Sequence, residues 1–373
     1  MSYHPIPPTP LVAGLPATVP FVAPEALQRQ SGRTFRLRLG ANESNFGPSP
    51  RALAAMREAA GHVNWYCDPE SYELRAAVAA LHGIATHEII FGSGIDDLLG
   101  LVVRAYLSPG EVAVTSLGAY PTFNYHVAGY GGRLERVPYH DDRNDLETLA
   151  AAAHQHHARI VYLANPDNPT GSWYPAEAIS AFQDALPEGC LLLLDEAYIE
   201  FAPEGEALPL NIGDPRIIRL RTFSKAYGMA GARIGYALGP AEMMSAFDRI
   251  TLHFGINRVA QEGALAALAD TDYLTQIVAE VARGREDYTA LGRELELTPL
   301  LSHTNFVTLD TGSPARAKAL VAALASRDVF IRMPGAPPLD RCIRVTVGLA
   351  DERSAFAEIL RAALPEIPET EIR

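Results

Sequence analysis

Lys225 stands in the stretch Thr222-Phe223-Ser224-Lys225-Ala226-Tyr227-Gly228-Met229-Ala230-Gly231-Ala232-Arg233-Ile234-Gly235. Strand patterns run into it (Arg216 to Leu220) and out of it (Ala232 to Leu238). An ammonium is a strongly hydrated point charge, and at the edge of a core it needs a partner or a task. Desolvation lowers its pKa, and the neutral amine then forms a Schiff base with a carbonyl. Thr222 and Ser224 add hydroxyls, Gly228 and Gly231 let a ligand approach the backbone, and Arg233 adds a planar fork suited to phosphate. An amine nucleophile beside an anion clamp points to a carbonyl cofactor that carries a phosphate. Pyridoxal 5'-phosphate has both groups.

Further polar clusters fall at the carboxyl ends of predicted strands, where open α/β sheets hold their ligands. Phe91-Gly92-Ser93-Gly94-Ile95-Asp96-Asp97 turns a strand into a helix. Free N–H groups and the positive end of the helix dipole suit phosphate there, although the spacing is not that of a dinucleotide site. Tyr120-Pro121-Thr122-Phe123 offers an aromatic ring to stack on a planar one; Phe123 taken alone reads as core packing. Asn165-Pro166-Asp167-Asn168-Pro169-Thr170-Gly171 is a strong turn signal in which Asn168 can donate its amide to a phenolate-like oxygen. Asp195 ends the run Leu191 to Leu194. A carboxylate buried there needs a partner, and a protonated pyridine nitrogen, which makes the ring an electron sink, would be one. Tyr198 can reach the ring hydroxyl oxygen. In the strand Cys342 to Val347, Arg344 calls for an anion, either a substrate carboxylate or a structural acid, and Arg332 lies on a neighbouring strand signal.

The elements that must position these residues are legible as periodicity. From Glu88 the pattern alternates strand and helix: strands at Ile89 to Phe91, Val112 to Thr115, Ile160 to Ala164, Leu191 to Leu194 and Ile217 to Leu220, helices near 121–130, 145–156 and 175–185. Continuous apolar strands separated by helices indicate a mostly parallel sheet of about seven strands, covered on both faces. After Pro240 helical patterns dominate to about 297, and strands return at Asn305 to Leu309, Val329 to Arg332 and Ile343 to Val347. The expected organisation is an α/β chain with three parts. Residues 1–39 form an arm and the start of a small domain, 40–257 a large cofactor domain and 258–373 a smaller α+β domain. The proline-rich arm reads equally as a disordered tail or, because it carries Leu11, Val12, Leu15, Val19 and Phe21, as a segment that packs on a partner subunit.

The 373 residues are 48% apolar and 20% charged, as in globular proteins, and exceed one ordinary core. No apolar run reaches the ~18–20 residues of a membrane helix, and the first residues lack a basic start and an apolar core, so no secretory signal is expected. Three separated cysteines, Cys67, Cys190 and Cys342, suit a reducing cytoplasm and show no metal spacing. His154, His156 and His157 read as a solvated helix end, so no metal is expected. A net charge of −13 argues against nucleic acid and requires a local basic patch for any anionic substrate.

From Asn42 to Val347 the motifs run in the order of a known family: Asn42-Glu43 to Pro50, Tyr66 to Pro69, Asn165 to Gly171, Asp195 to Tyr198, Ser224 to Tyr236 and Ile343 to Gly348. The chain resembles fold-type I pyridoxal-phosphate-dependent aminotransferases of class I/II, and most resembles their histidinol-phosphate branch. That resemblance implies a ping-pong transfer between an amino donor and a 2-oxo acid, in a homodimer with shared sites. It implies Lys225 as Schiff-base lysine and general base, and Asp195 on the pyridine nitrogen. Asn168 and Tyr198 would hold the ring oxygen, and Phe123 would stack on the ring. Thr222, Ser224, Arg233 and the backbone of Gly94, Ile95 and Asp96 would bind the phosphate, with Tyr66 reaching it from the other subunit. Arg344, Arg332 and Asn42 would bind substrate. Cys67 in Tyr66-Cys67-Asp68-Pro69 and Ile95 before Asp96-Asp97 depart from the usual motifs. Two alternatives share the cofactor residues: an aromatic amino acid aminotransferase and a phospho-amino-acid decarboxylase. A cofactor-binding regulator would need a DNA-binding module, and the arm is too short and proline-rich for a helix-turn-helix.

Overall fold

The computed structural model describes residues 6–16 and 22–367. Twelve strands follow one another among the described residues: β1 Leu37–Arg38, β2 Ile89–Gly92, β3 Val112–Ser116, β4 Arg133–Val137, β5 Ile160–Ala164, β6 Leu191–Asp195, β7 Ile217–Thr222, β8 Gly235–Leu238, β9 Thr298–Pro299, β10 Phe306–Asp310, β11 Val329–Phe330 and β12 Cys342–Thr346.

Seven of them form one sheet in the order β2-β8-β7-β6-β5-β3-β4. Only β8 runs antiparallel to its neighbours. β5 and β6 are buried along their whole length because helices cover both faces, which is why they read as unbroken apolar runs. The register pairs Ala164 with Asp195 and Asp195 with Leu220, so the ends of β5, β6 and β7 lie side by side.

β4 carries Arg133, Glu135 and Arg136, and its period is hidden by charges suited to an edge strand. The strand expected from Ala232 starts at Gly235, because Ala230–Ala232 makes a 3-10 turn and Arg233 takes φ 59°. At Gly235 a Cβ would sit 2.8 Å from the Arg221 carbonyl and 3.2 Å from the Ile95 nitrogen. That close approach seats the start of the helix Ile95–Tyr106 against the end of β7.

β12-β10-β9 form a small antiparallel sheet, and β1 pairs in parallel with β11. Leu37 and Leu39 share a core with Tyr288, Phe306, Leu320 and Phe356, joining the segment before residue 40 to the small unit. The helix Arg258–Leu268, expected there too, packs elsewhere. Its Ala260 and Ala264 lie in one cluster with Ala52, Phe91 and Phe223, against the helix Pro50–Ala60. A Cβ on Gly263 would be 2.5 Å from Met56 Cγ. The helix thus packs on the large unit, although the sequence reading puts it after the 257/258 boundary; on this packing we propose a division near Ala269, before the helix Thr271–Glu294. In the arm, Pro10–Ala13 is one helical turn and Leu11 reaches Gly131. Val19 and Phe21 lie outside the described residues.

Candidate active site

The carboxyl ends of β5, β6 and β7 open into a cavity of about 300 Å³ whose lining includes Asn168, Asp195, Tyr198, Thr222, Ser224, Lys225 and Arg233. Residues from separate motifs are thus brought to one place by the parallel register.

Asp195 is buried. Tyr162 donates its hydroxyl to Oδ2 at 2.7 Å and the Ala197 N–H donates to Oδ1 at 3.0 Å. Burial raises its pKa to about 6, and these two hydrogen bonds hold it from rising further. Lys225 donates from Nζ to the Asn42 carbonyl at 3.1 Å. Burial, then the Arg344 charge, lower its pKa to about 8. Asn42 sits at φ 53°, in the left-handed region, and its Nδ2 donates to the Tyr198 hydroxyl at 3.0 Å. Asn42 therefore ties the lysine and the tyrosine together from behind and does not line the cavity itself. Arg344 reaches across from β12 and donates from Nη1 to Asn168 Oδ1 at 2.5 Å. That contact occupies the amide oxygen of Asn168, itself a lining residue, and leaves its amide N–H groups as the donors.

At the other end, Thr222 Oγ1 donates to Ser224 Oγ at 2.9 Å and accepts from the Ser224 N–H at 3.0 Å. Gly94 caps the helix Ile95–Tyr106 with φ 79° and no side-chain cap, which leaves the first N–H groups to a ligand. Arg233 lies over it, and a Cβ on Gly94 would be 2.5 Å from Arg233 Nη2. Arg233 Nη2 donates to Asp96 Oδ2 at 3.1 Å, and the Tyr120 hydroxyl donates to Asp96 Oδ1 at 2.8 Å. The turn after Lys225 is locked from outside: a Cβ on Gly228, at φ 69°, would fall 2.1 Å from the Gly47 carbonyl.

Phe123 is not where the sequence places it. Its ring is fully buried, stacked on Tyr162 with centroids 4.9 Å apart, and lines no part of the cavity. Tyr120 lines it, three residues earlier, because its hydroxyl finds Asp96 while the apolar Phe123 enters the core of the helix Pro121–Gly129. Tyr162 was missed altogether, although a hydroxyl inside Ile-Val-Tyr-Leu-Ala needs an acceptor. Glu43 was also missed as a lining residue. Tyr66 is 78% exposed and stacks on Phe254 at 4.5 Å, outside this chain's cavity. Arg344, bonded to the lining residue Asn168, shares a backbone bridge with Arg332, and neither arginine is among the lining residues. Arg344 Nε has no hydrogen-bond partner among the described residues. Arg332 Nη2 donates to the Val22 carbonyl at 3.0 Å. His154 bonds the Ala185 carbonyl, and His156 faces Glu135.

A lysine with a lowered pKa, a buried carboxylate opposite it and a hydroxyl, arginine and helix-start cluster make a site for amine chemistry on a phosphate-bearing ring. Residues 36–358 match a model of the class I and II aminotransferases. The chain is 37% identical over 332 residues to histidinol-phosphate aminotransferase 2 of Pseudomonas fluorescens, covering 88% of this chain and 89% of that one. The corresponding protein of Carboxydothermus hydrogenoformans is 34% identical over 351 residues, 93% of this chain and 96% of that one. Among solved structures, the histidinol-phosphate aminotransferase of Sinorhizobium meliloti in complex with pyridoxal-5'-phosphate superposes with a TM-score of 0.91. It shares 52% identity over 96% of each chain. With a family match spanning most of its length and a site of the matching chemistry, the chain belongs to the class I and II aminotransferases.

Proposed function

We propose that this enzyme is a pyridoxal-phosphate-dependent aminotransferase that moves an amino group between histidinol phosphate and 2-oxoglutarate, a step of histidine biosynthesis. The observation that carries the reading is the cavity joining Lys225, Asp195 and the Gly94–Arg233 cradle, in a chain 52% identical to the Sinorhizobium meliloti enzyme. The donor set fits the cofactor. Asp195 would hold the pyridine nitrogen, while Tyr198 and the Asn168 amide hold the ring oxygen. Tyr120 would stand beside the ring, and Ser224, Thr222, Arg233 and the N–H groups from Ile95 would take the phosphate. When bound, the cofactor supplies an electron sink for the charge left at the substrate Cα.

The chain's own residues do the rest. Lys225 Nζ would take the proton from the substrate Cα and hold it for its return, a task suited to an amine with pKa near 8. Asn42 keeps that nitrogen aimed through its carbonyl. Arg344 and Arg332 receive the anionic end of donor and acceptor in turn, as ping-pong transfer requires. The orphaned Nε of Arg344 is a ready donor for that anion.

An amino-donor screen with 2-oxoglutarate tests the reading. Histidinol phosphate is expected to be preferred over Phe, Tyr and Trp. Arg332→Gln is expected to raise the Michaelis constant for histidinol phosphate about ten- to a hundredfold, the loss of a charge-assisted bond, and to leave aromatic donors nearly unaffected. A wild type that ignores histidinol phosphate and accepts aromatic amino acids would move the assignment to that branch, and release of carbon dioxide would move it to decarboxylation.

The active unit in this reading is a homodimer. Tyr66, Trp65, Leu252 and Phe254 form an exposed apolar patch, and Tyr66 would complete the partner's phosphate site. If Tyr66→Phe alone proves strongly inactivating, mixing that chain with Lys225→Ala is expected to restore part of the activity, since one hybrid site keeps both residues. Active monomer alone in sedimentation would refute the shared site.

A further inference from the structure

Three carboxylates line the cavity: Asp96, Asp195 and Glu43. Asp195 is taken by Tyr162 and the Ala197 N–H, and Asp96 by Arg233 and Tyr120. Glu43 is held more loosely. It accepts from Arg38 Nη2 at 3.2 and 3.3 Å, while the same guanidinium donates to Glu25 at 2.6 Å through Nη1. Its side chain is 38% exposed. It follows Asn42, whose left-handed turn gives Lys225 its carbonyl partner, so the same turn delivers Glu43 to the cavity. Its charge is felt both at Lys225 and at Arg332. Glu43 therefore sits on the cavity wall within electrostatic reach of Lys225 and Arg332.

The inference rests on the proposed function and names what reads the third arm of its donor. Three groups leave the donor's Cα arm by arm: an amine, a phosphate ester and an imidazole. The amine belongs at Lys225 and the phosphate at Arg332 and Arg344. The lining not committed to the cofactor includes Ala41, Ala230 and Gly231, which have no polar side chain, and Glu43. An imidazole carries at least one N–H in either charge state, and a phenyl ring carries none. We propose that Glu43 is a specificity-determining residue that accepts the hydrogen bond of the donor's imidazole N–H. A charged acceptor adds a charge-assisted hydrogen bond to the imidazole donor and none to its phenyl analogue, so it separates the two.

The test compares two donors that differ only in the ring, L-histidinol phosphate and L-phenylalaninol phosphate, in the donor half-reaction of the holoenzyme. Glu43→Met removes the acceptor at similar volume. It is expected to lower kcat/KM for histidinol phosphate about ten- to a hundredfold and to change the phenylalaninol value less than about threefold. Glu43→Gln keeps an acceptor oxygen and is expected to recover part of the loss. Equal losses on both donors would overturn the assignment and place Glu43 behind Arg38 or Arg332, and no loss would overturn it as well. A wild type that uses neither ester would instead overturn the proposed function, and this inference with it.

Discussion

Lys225→Ala is expected to lower turnover by at least about 10²–10⁴-fold, the range for losing a general acid–base group. The loss of the group that anchors the cofactor covalently adds to it. Borohydride treatment of the cofactor-loaded wild type is expected to label the peptide containing Lys225, and labelling of another lysine would remove the assignment. A second readout needs no turnover. The folded pKa of Lys225 is lowered to about 8 from 10.5. Between those values the unfolded chain binds more protons, so the cofactor-free protein gains stability as pH rises from about 8 to about 10.5. Lys225→Met is expected to lose that contribution, visible as a flatter pH dependence of its melting temperature. A slope unchanged from wild type would mean that the amine is not desolvated.

Asp195→Asn is expected to keep the cofactor and lose turnover about 10²–10⁴-fold. Breaking a buried ion pair typically costs ~3–5 kcal/mol, and that much in the transition state gives this factor. Burial lifts the Asp195 carboxyl to about 6 in spite of the hydrogen bonds from Tyr162 and the Ala197 N–H, so the site holds an unmet demand for a cation, which a protonated ring nitrogen would meet. The amide keeps the contact to Tyr162 but cannot stabilise that proton. Near-normal half-reaction rates in the variant would exclude the role.

Most of this architecture could be read from the sequence because the strands are buried on both faces. Ile160 to Ala164 and Leu191 to Leu194 have no competing interpretation once helices separate them. β4 escaped because an edge strand carries charges in place of the apolar pattern. The helix Arg258–Leu268 was recognised as a helix, but which body it packs on is decided by Gly263 against Met56, a contact between residues some 200 positions apart that has no local signal. The site shows the same division. Lys225, Asp195, Asn168, Thr222, Ser224 and Arg233 announce themselves, being polar residues at the ends of apolar strands. Tyr120 and Phe123 are one helical turn apart, and only the hydroxyl bond to Asp96, a contact across 24 residues, tells which ring faces the cavity. Glu43 follows Asn42 in a turn-rich loop, and nothing local to the loop says which way its carboxylate faces.

The missing Cβ at Gly228 sets a rule for anyone who would redesign this enzyme. The Gly47 carbonyl occupies the space that any side chain would need, and the same oxygen accepts from the Tyr273 hydroxyl at 3.1 Å. The loop of residues 40–50 and the turn of residues 222–235 are therefore two halves of one mould. The first half carries Asn42 and Glu43, which aim the lysine and face the substrate; the second carries the lysine itself. Transplanting either segment alone from a relative, to change the preferred donor, would join halves cast separately. Moved as a pair, with Tyr273 retained, they form the smallest exchangeable cassette of the site.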